Sequence, residues 1–248
     1  MTLAVIGGSG LYALPGLIEV RELDVVTPYG APSAPLMLGR LHGRDIVFLA
    51  RHGTQHRLPP HAINYRANVW ALHAQGVKRV VAVATVGGIG EGMGPGVIAL
   101  PDQIIDYTWG RAHTFFDGQD GKVQHIDFTH PYDAALRTAL MNAAQRAGVA
   151  LHEGSTYGVT QGPRLETAAE ITRMQRDGAT LVGMTGMPEA ALARELGLAY
   201  ATLAVVVNAA AGTGGSTIAI DLKTAEIVAR EAMTRVTAIV TELARHGD

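Results

Sequence analysis

Leu3-Ala4-Val5-Ile6-Gly7-Gly8-Ser9-Gly10 runs four apolar residues straight into a glycine turn. Apolar side chains without polar alternation suit a strand covered on both faces, and the glycines end it. The figure recurs along the chain. Residues 46–50 run into Arg51-His52-Gly53, 80–84 into Thr85-Val86-Gly87-Gly88, 181–184 into Thr185-Gly186, and 202–207 into Asn208-Ala209-Ala210. Between these runs, 67–75, 133–147, 167–176, 188–196 and 224–245 have helical apolar spacing, with Gly76, Gly148, Gly178 and Gly197 as stops. Strand–helix alternation over the whole length predicts an α/β fold in a single domain spanning 1–248, a mostly parallel or mixed central sheet flanked by helices. The stretch 106–133 is the least regular, rich in His, aromatics and Gly, and long for a plain connection.

Composition narrows the function. Of 248 residues, 48% are hydrophobic, enough for one sizeable core. A net charge of −2 speaks against nucleic-acid or membrane-surface binding, which needs a basic face. Only 17% of the residues are charged, which suits a surface partly covered in an oligomer. The chain has no cysteine, so disulfides, thiolate metal sites and a cysteine nucleophile are excluded. The N-terminus lacks the basic and apolar pattern of a signal peptide, and no apolar run reaches the roughly 18 residues of a membrane span. A cytoplasmic protein is expected.

Parallel sheets present ligands at the carboxyl ends of their strands, so the segments after the apolar runs are the candidate site. Gly7-Gly8-Ser9-Gly10 lets the backbone approach an anion and adds a hydroxyl, or is simply a tight turn. It fits neither the Walker loop nor the G-x-G-x-x-G fingerprint, which disfavours a dinucleotide enzyme. Arg51 can fork onto two phosphate oxygens while His52 donates to a third; a surface salt bridge and a solvated histidine are the plain alternative. His52 and His56 have the spacing of a helical metal pair, but Gly53 and Pro59-Pro60 oppose a helix and no third ligand offers itself, so no metal is expected. Thr85-Val86-Gly87-Gly88 reads as a turn whose N–H groups could bind phosphate beside a flat ring. Glu166, before a helix, can meet a ligand or complement the helix dipole. Thr185 is a further anion donor at a helix start. Asn208 can read a heterocycle edge or close the strand in an Asx-turn. Taken together, this pattern favours a small anion plus a flat polar substrate.

Ile6-Gly7-Gly8-Ser9-Gly10-Leu11, Thr27-Pro28-Tyr29-Gly30, Arg51-His52-Gly53, Asn64-Tyr65-Arg66-Ala67-Asn68, Gly162-Pro163-Arg164 and Met184-Thr185-Gly186-Met187-Pro188-Glu189 occur in an order that resembles the trimeric purine nucleoside phosphorylase and methylthioadenosine phosphorylase family, along nearly the whole chain. The subgroup it looks most like acts on methylthioinosine. The resemblance implies a phosphate site from Ser9, Arg51, His52, Thr85 and Thr185, with inorganic phosphate as co-substrate and no cofactor. It implies base contacts from Val86, Gly87, Leu165, Glu166 and Asn208, and Met184 under the ribose. It also implies a homotrimer whose neighbouring subunit lends His125 to the site. Two departures bear on substrate. Asn208 stands where adenine-specific members have an Asp-rich run, and Glu166 where they have Ser, which resembles the 6-oxopurine enzymes. Ala225, with Val228 one turn on, stands where ordinary 6-oxopurine enzymes have a His for the 5′-hydroxyl. A small apolar wall there favours a methylthio group by about 1–3 kcal/mol. The expected activity is phosphorolysis of S-methyl-5′-thioinosine. The rivals are the 6-amino substrate, a general 6-oxopurine nucleoside, a hydrolytic nucleosidase and a non-catalytic purine-binding module.

Overall fold

The computed structural model describes residues 2–118, 121 and 123–246. In chain order the elements are β1 (Thr2–Gly7), β2 (Ile18–Leu23), β3 (Leu36–Leu41), β4 (Arg44–Ala50), α1 (Tyr65–Ala74), β5 (Val77–Gly88), β6 (Ile98–Leu100), β7 (Gln103–Asp106), α2 (Ala134–Arg146), β8 (His152–Glu153), β9 (Thr156–Val159), α3 (Ala168–Arg176), β10 (Leu181–Gly183), α4 (Glu189–Glu195), β11 (Ala199–Ala209) and α5 (Leu222–His246). All eleven strands join one mixed sheet. Its main path runs β2-β3-β4-β1-β5-β10-β9-β7, and β11 branches from β5 to carry β6 and β8.

Side-chain alternation along the central strands divides the core. Ala4, Ile6, Val47, Leu49, Ala84 and Val86 pack with Val69 and Leu72 of α1 and Leu192 of α4. Leu3, Val5, Phe48, Val81 and Val83 pack with Leu136 and Leu140 of α2 and Val236, Ile239 and Val240 of α5. Both faces of β1, β4, β5 and β11 are therefore covered, which is why their sequences are continuously apolar.

Several elements run longer than their sequence suggested. The expected helix 67–75 begins at Tyr65, because Asn64 caps it by accepting from the Ala67 N–H at 3.1 Å. The expected strand 80–84 extends from Val77 through Gly88, and 202–207 extends to Ala209, because the two strands pair in parallel along that length. Thr85-Val86-Gly87-Gly88 is thus strand and not a turn, and Asn208 lies within β11 and not after it. The edge strand β2, its neighbour β3 and the short β6 to β9 carry no long apolar run and were not expected. Among the described residues no helix is long and apolar enough to cross a membrane.

The topology makes one opening. β1, β4, β5 and β11 run parallel to one another, so the carboxyl ends of β1, β4 and β11 share an edge with the second half of β5. β1 pairs with β5 only as far as Ile6↔Ala82, and β10 then joins β5 antiparallel at Val182↔Gly87. Between those two pairings the main chain of β5 is left open on one side, and the ends of β1, β4, β10 and β11 converge there. This is the crevice that a change of strand order creates.

Candidate active site

Arg51 follows β4, and its backbone N–H donates to Gly7 O at 3.1 Å, tying the β4 and β1 ends together. Its side chain turns into the gap left by β1, where Nη1 donates to Val83 O at 2.8 Å. Nε and Nη2 fork onto the Glu189 carboxylate at 2.7 and 2.8 Å, and both side chains are essentially buried. Tyr200 Oη donates to the same carboxylate at 2.8 Å. The expected fork onto phosphate is corrected here: Glu189 holds that edge of the guanidinium. Arg51 can offer an anion only its remaining Nη hydrogens, beside Gly8. A Cβ on Gly8 would stand 2.4 Å from Val83 O and 3.2 Å from Nη1, so only glycine lets the Gly7-Gly8-Ser9 turn lie against the guanidinium. Burial opposes the charge of Arg51, but Glu189 outweighs it and the guanidinium stays protonated.

His52 is buried, and its Nδ1 lies 2.9 Å from Leu58 O. A carbonyl oxygen only accepts, so Nδ1 carries the proton and Nε2 the lone pair. Burial first, and then the charge of Arg51, hold this imidazole down at about 4. The expected donation from His52 to phosphate is thereby corrected: near neutral pH Nε2 accepts. The sign of the pH effect follows. With a folded value near 4 against 6.5 unfolded, the unfolded chain binds the extra proton between those values. The stability that neutral His52 contributes is complete above pH 6.5 and is lost as pH falls toward 4. Replacing His52 by Gln should flatten the slope of Tm against pH between 6.5 and 4; an unchanged slope would assign the acid sensitivity elsewhere. His56 stacks on His52 at 4.2 Å within a short 3-10 turn, where Gln55 and His56 have positive φ. No group of three or more metal-ligating side chains occurs among the described residues.

By alternation Thr85 points to the same face of β5 as Val81 and Val83, which pack with α5, whereas a side chain on Gly87 would meet Val182 and Ala210. Val86 points the other way into the core and is 2% exposed, so its side chain is not free to meet a base and only its backbone could. Asn208 lies over Gly87: its Nδ2 is 3.4 Å from where a Gly87 Cβ would be, and it donates to Ala209 O at 2.7 Å. The second N–H and the carbonyl oxygen of that amide remain for a ligand. No Asx-turn closes the strand.

Glu166 stands across β10 from Asn208. Thr160, just after β9, donates its hydroxyl to Glu166 Oε1 at 2.6 Å and lies 3.3 Å from Gly183 O. Helix α3 is capped instead by the reciprocal pair Thr167 and Glu170, so Glu166 is not needed at the helix start. Leu165 beside it is 41% exposed. Met184 follows β10 and presses against Gly162, with Sδ 2.5 Å from where a Cβ would stand. Thr185 is buried, its N–H 3.5 Å from Tyr157 Oη. Ser9 and Thr85 are half-buried at the same edge. Ala225 and Val228 lie near the start of α5, Ala225 one turn before Ala229 and Val228 next to it, and Ala229 neighbours Gly10. His125 is exposed on this chain.

Sequence reasoning left three participants without a role: Glu189, Thr160 and Arg111. Glu189 was quoted in its motif, but its partner lies 138 positions away.

The family model of the phosphorylase superfamily matches residues 2–245. The chain is 59% identical over 214 residues to a probable S-methyl-5′-thioinosine phosphorylase of Xanthomonas campestris, covering 86% of each chain. It is 52% identical to a protein of the same description from Pseudomonas syringae, covering 97% of each. With a 6-oxopurine nucleoside phosphorylase of Pyrococcus furiosus it shares 47% identity, covering 86% of this chain and 81% of that one. A methylthioadenosine phosphorylase from Schistosoma mansoni, solved with adenine, superposes with a TM-score of 0.93 at 30% identity over 98% of this chain and 90% of that one. The converging strand ends and these matches lead to one statement: the chain belongs to the phosphorylase superfamily, in the branch of purine nucleoside and methylthioadenosine phosphorylases.

Proposed function

We propose that the protein cleaves the N-glycosidic bond of S-methyl-5′-thioinosine with inorganic phosphate, giving hypoxanthine and 5-methylthioribose 1-phosphate. The observation that carries the base assignment is the pair Asn208 and Glu166, set on either side of β10 by Gly87 and Thr160. With Oε1 engaged by Thr160, Oε2 of Glu166 is left to accept from the N1–H of a 6-oxopurine. A 6-aminopurine has only a lone pair at N1, which would face the carboxylate. An unpaired buried polar group of this kind costs about 1–3 kcal/mol.

The chemistry needs neither metal nor covalent nucleophile. Departure of the base leaves positive charge on the ribose and negative charge on the purine. Phosphate, held by Ser9, Thr85, Thr185 and the outward hydrogens of Arg51, lies against the cationic sugar and captures it. Because His52 Nε2 accepts, the phosphate oxygen beside it is the one that carries the proton of monohydrogen phosphate. Asn208 at N7 stabilises the departing base. Ala225 and Val228 wall the 5′ end with apolar atoms, which suits a methylthio group. The relatives described as S-methyl-5′-thioinosine phosphorylases, at 52–59% identity, support the same substrate. A homotrimer with His125 lent across the subunit border is part of this reading, and the exposed Trp109, Val123, Ile218, Leu222 and Ile227 support a covered surface.

The test is turnover of methylthioinosine, methylthioadenosine and inosine, each with and without phosphate. Methylthioinosine should be cleaved fastest, by at least tenfold over the other two, and only when phosphate is present. Equal turnover without phosphate would make the protein a hydrolase, and faster methylthioadenosine would reverse the base assignment.

A further inference from the structure

Arg111 lies in the irregular stretch after β7, yet it is only 7% exposed. Among the described residues its guanidinium pairs with no carboxylate; its partners are neutral oxygens, most of them from two separate segments. Nη2 donates to Thr160 O at 3.2 Å and Gln161 O at 2.8 Å, and Nε donates to Gln161 Oε1 at 3.1 Å. Nη1 donates to Met184 O at 2.9 Å and Met187 O at 2.5 Å. Nη1 also lies 3.3 Å from Tyr65 Oη, over whose ring the guanidinium sits at 5.3 Å. Every N–H of the group is engaged. A buried cation without a carboxylate is costly, so its position is informative. It joins the segment after β9 to the segment after β10.

Those two segments carry the substrate contacts proposed above. The first leads from Thr160, which orients Glu166, through Gly162 to Leu165. The second holds Met184 and Thr185, and Met184 packs on Gly162 between them. We infer that Arg111 is a positioning residue: one planar cation that sets the spacing between the base-reading segment and the ribose- and phosphate-holding segment without touching substrate. The fork geometry is essential, because a lysine ammonium has three donors on a single point and cannot span carbonyls on two segments. What the segments hold rests on the proposed function; that Arg111 joins them rests on the hydrogen bonds alone.

The experiment compares wild type with Arg111→Lys and Arg111→Ala, using amide hydrogen exchange and kinetics. In Arg111→Lys, exchange should rise together in residues 160–166 and 184–188, with β5 and α5 unchanged. KM for nucleoside and for phosphate should both rise, and kcat/KM should fall at least tenfold. Methylguanidinium at millimolar concentration should return part of the lost activity to Arg111→Ala. A purely structural role would lower Tm while leaving both KM values and the base preference as they are, and that result would overturn the inference. So would loosening of only one segment. If wild type proves inert toward nucleosides, the functional reading fails, but the paired exchange still decides for or against the clamp. Should neither variant fold, Gln161→Met, which removes the side-chain oxygen that accepts from Arg111 Nε and from the Trp109 N–H, should show the same paired exchange to a smaller degree; unchanged exchange there would also overturn it.

Discussion

Replacing Glu189 by Ala is expected to destabilise the protein by about 3–5 kcal/mol, because it leaves the buried Arg51 guanidinium without its counter-charge. In a chain of this size that corresponds to a fall in Tm of roughly 6–20 °C. Phosphate saturation should be lost as well, since Glu189 fixes the edge of the guanidinium that turns away from the site. Tyr200 Oη, which donates to the same carboxylate, would also lose its acceptor. A second variant separates stability from function. Exchanging both partners for apolar residues, Arg51→Met with Glu189→Leu, removes the desolvation penalty along with the pair and should recover much of the Tm. It should not recover phosphate-dependent turnover, because no directed N–H remains beneath Gly8. Thermal melts of the single and double variants, with initial rates against phosphate, read both effects. A Glu189→Ala protein that melts within 2 °C of wild type would mean that the ion pair does not hold this corner of the fold.

The second large effect concerns the leaving group. Asn208→Ala should lower kcat and kcat/KM together by more than tenfold, because the amide is proposed to act on charge that appears only as the bond breaks. Loss of a comparable single donor to developing negative charge costs about 10²–10³-fold elsewhere. Stability should change little, since Asn208 is half-buried and its one side-chain bond goes to the adjacent Ala209 carbonyl. Asn208→Asp should shift preference toward 6-aminopurine nucleosides: the carboxylate can accept from the amino group and pair with a protonated N7. Steady-state kinetics on methylthioinosine and methylthioadenosine distinguish the cases. A change confined to KM would limit Asn208 to ground-state binding, and an unchanged ratio of the two substrates would take base choice away from this position.

The central strands were legible because burial on both faces leaves no polar position to interrupt the apolar run. This held for β1, β4, β5, β10 and β11, whose cores were located; pairing extended the ends of β1, β4, β5 and β11, while β10 stops at Gly183, one residue short of the expected run. The edge strand β2 escaped notice because Ile18–Leu23, open to water, mixes Glu and Arg with apolar residues, and its neighbour β3 because Gly39 and Arg40 break its apolar run. Short strands such as β7 and β9 are held by their neighbours' backbones, and their own sequences carry too few residues for a period to show. The helices stood out by their spacing, and the error at α1 came from reading Asn64 as a motif residue instead of a cap.

By itself the sequence determined the α/β class, the order of the central elements and the residues at the strand ends, including Arg51, His52 and Asn208, with Glu166 ahead of a helix. These are local properties of burial and composition, written in neighbouring residues. Only the tertiary structure decided how those residues are used. It gave the fork of Arg51 to Glu189, fixed the tautomer of His52 through Leu58, turned Val86 into the core and set Thr160 behind Glu166. The reason is that direction and charge state depend on groups brought together by strand order. A partner 138 positions away leaves no mark on the local pattern of either residue.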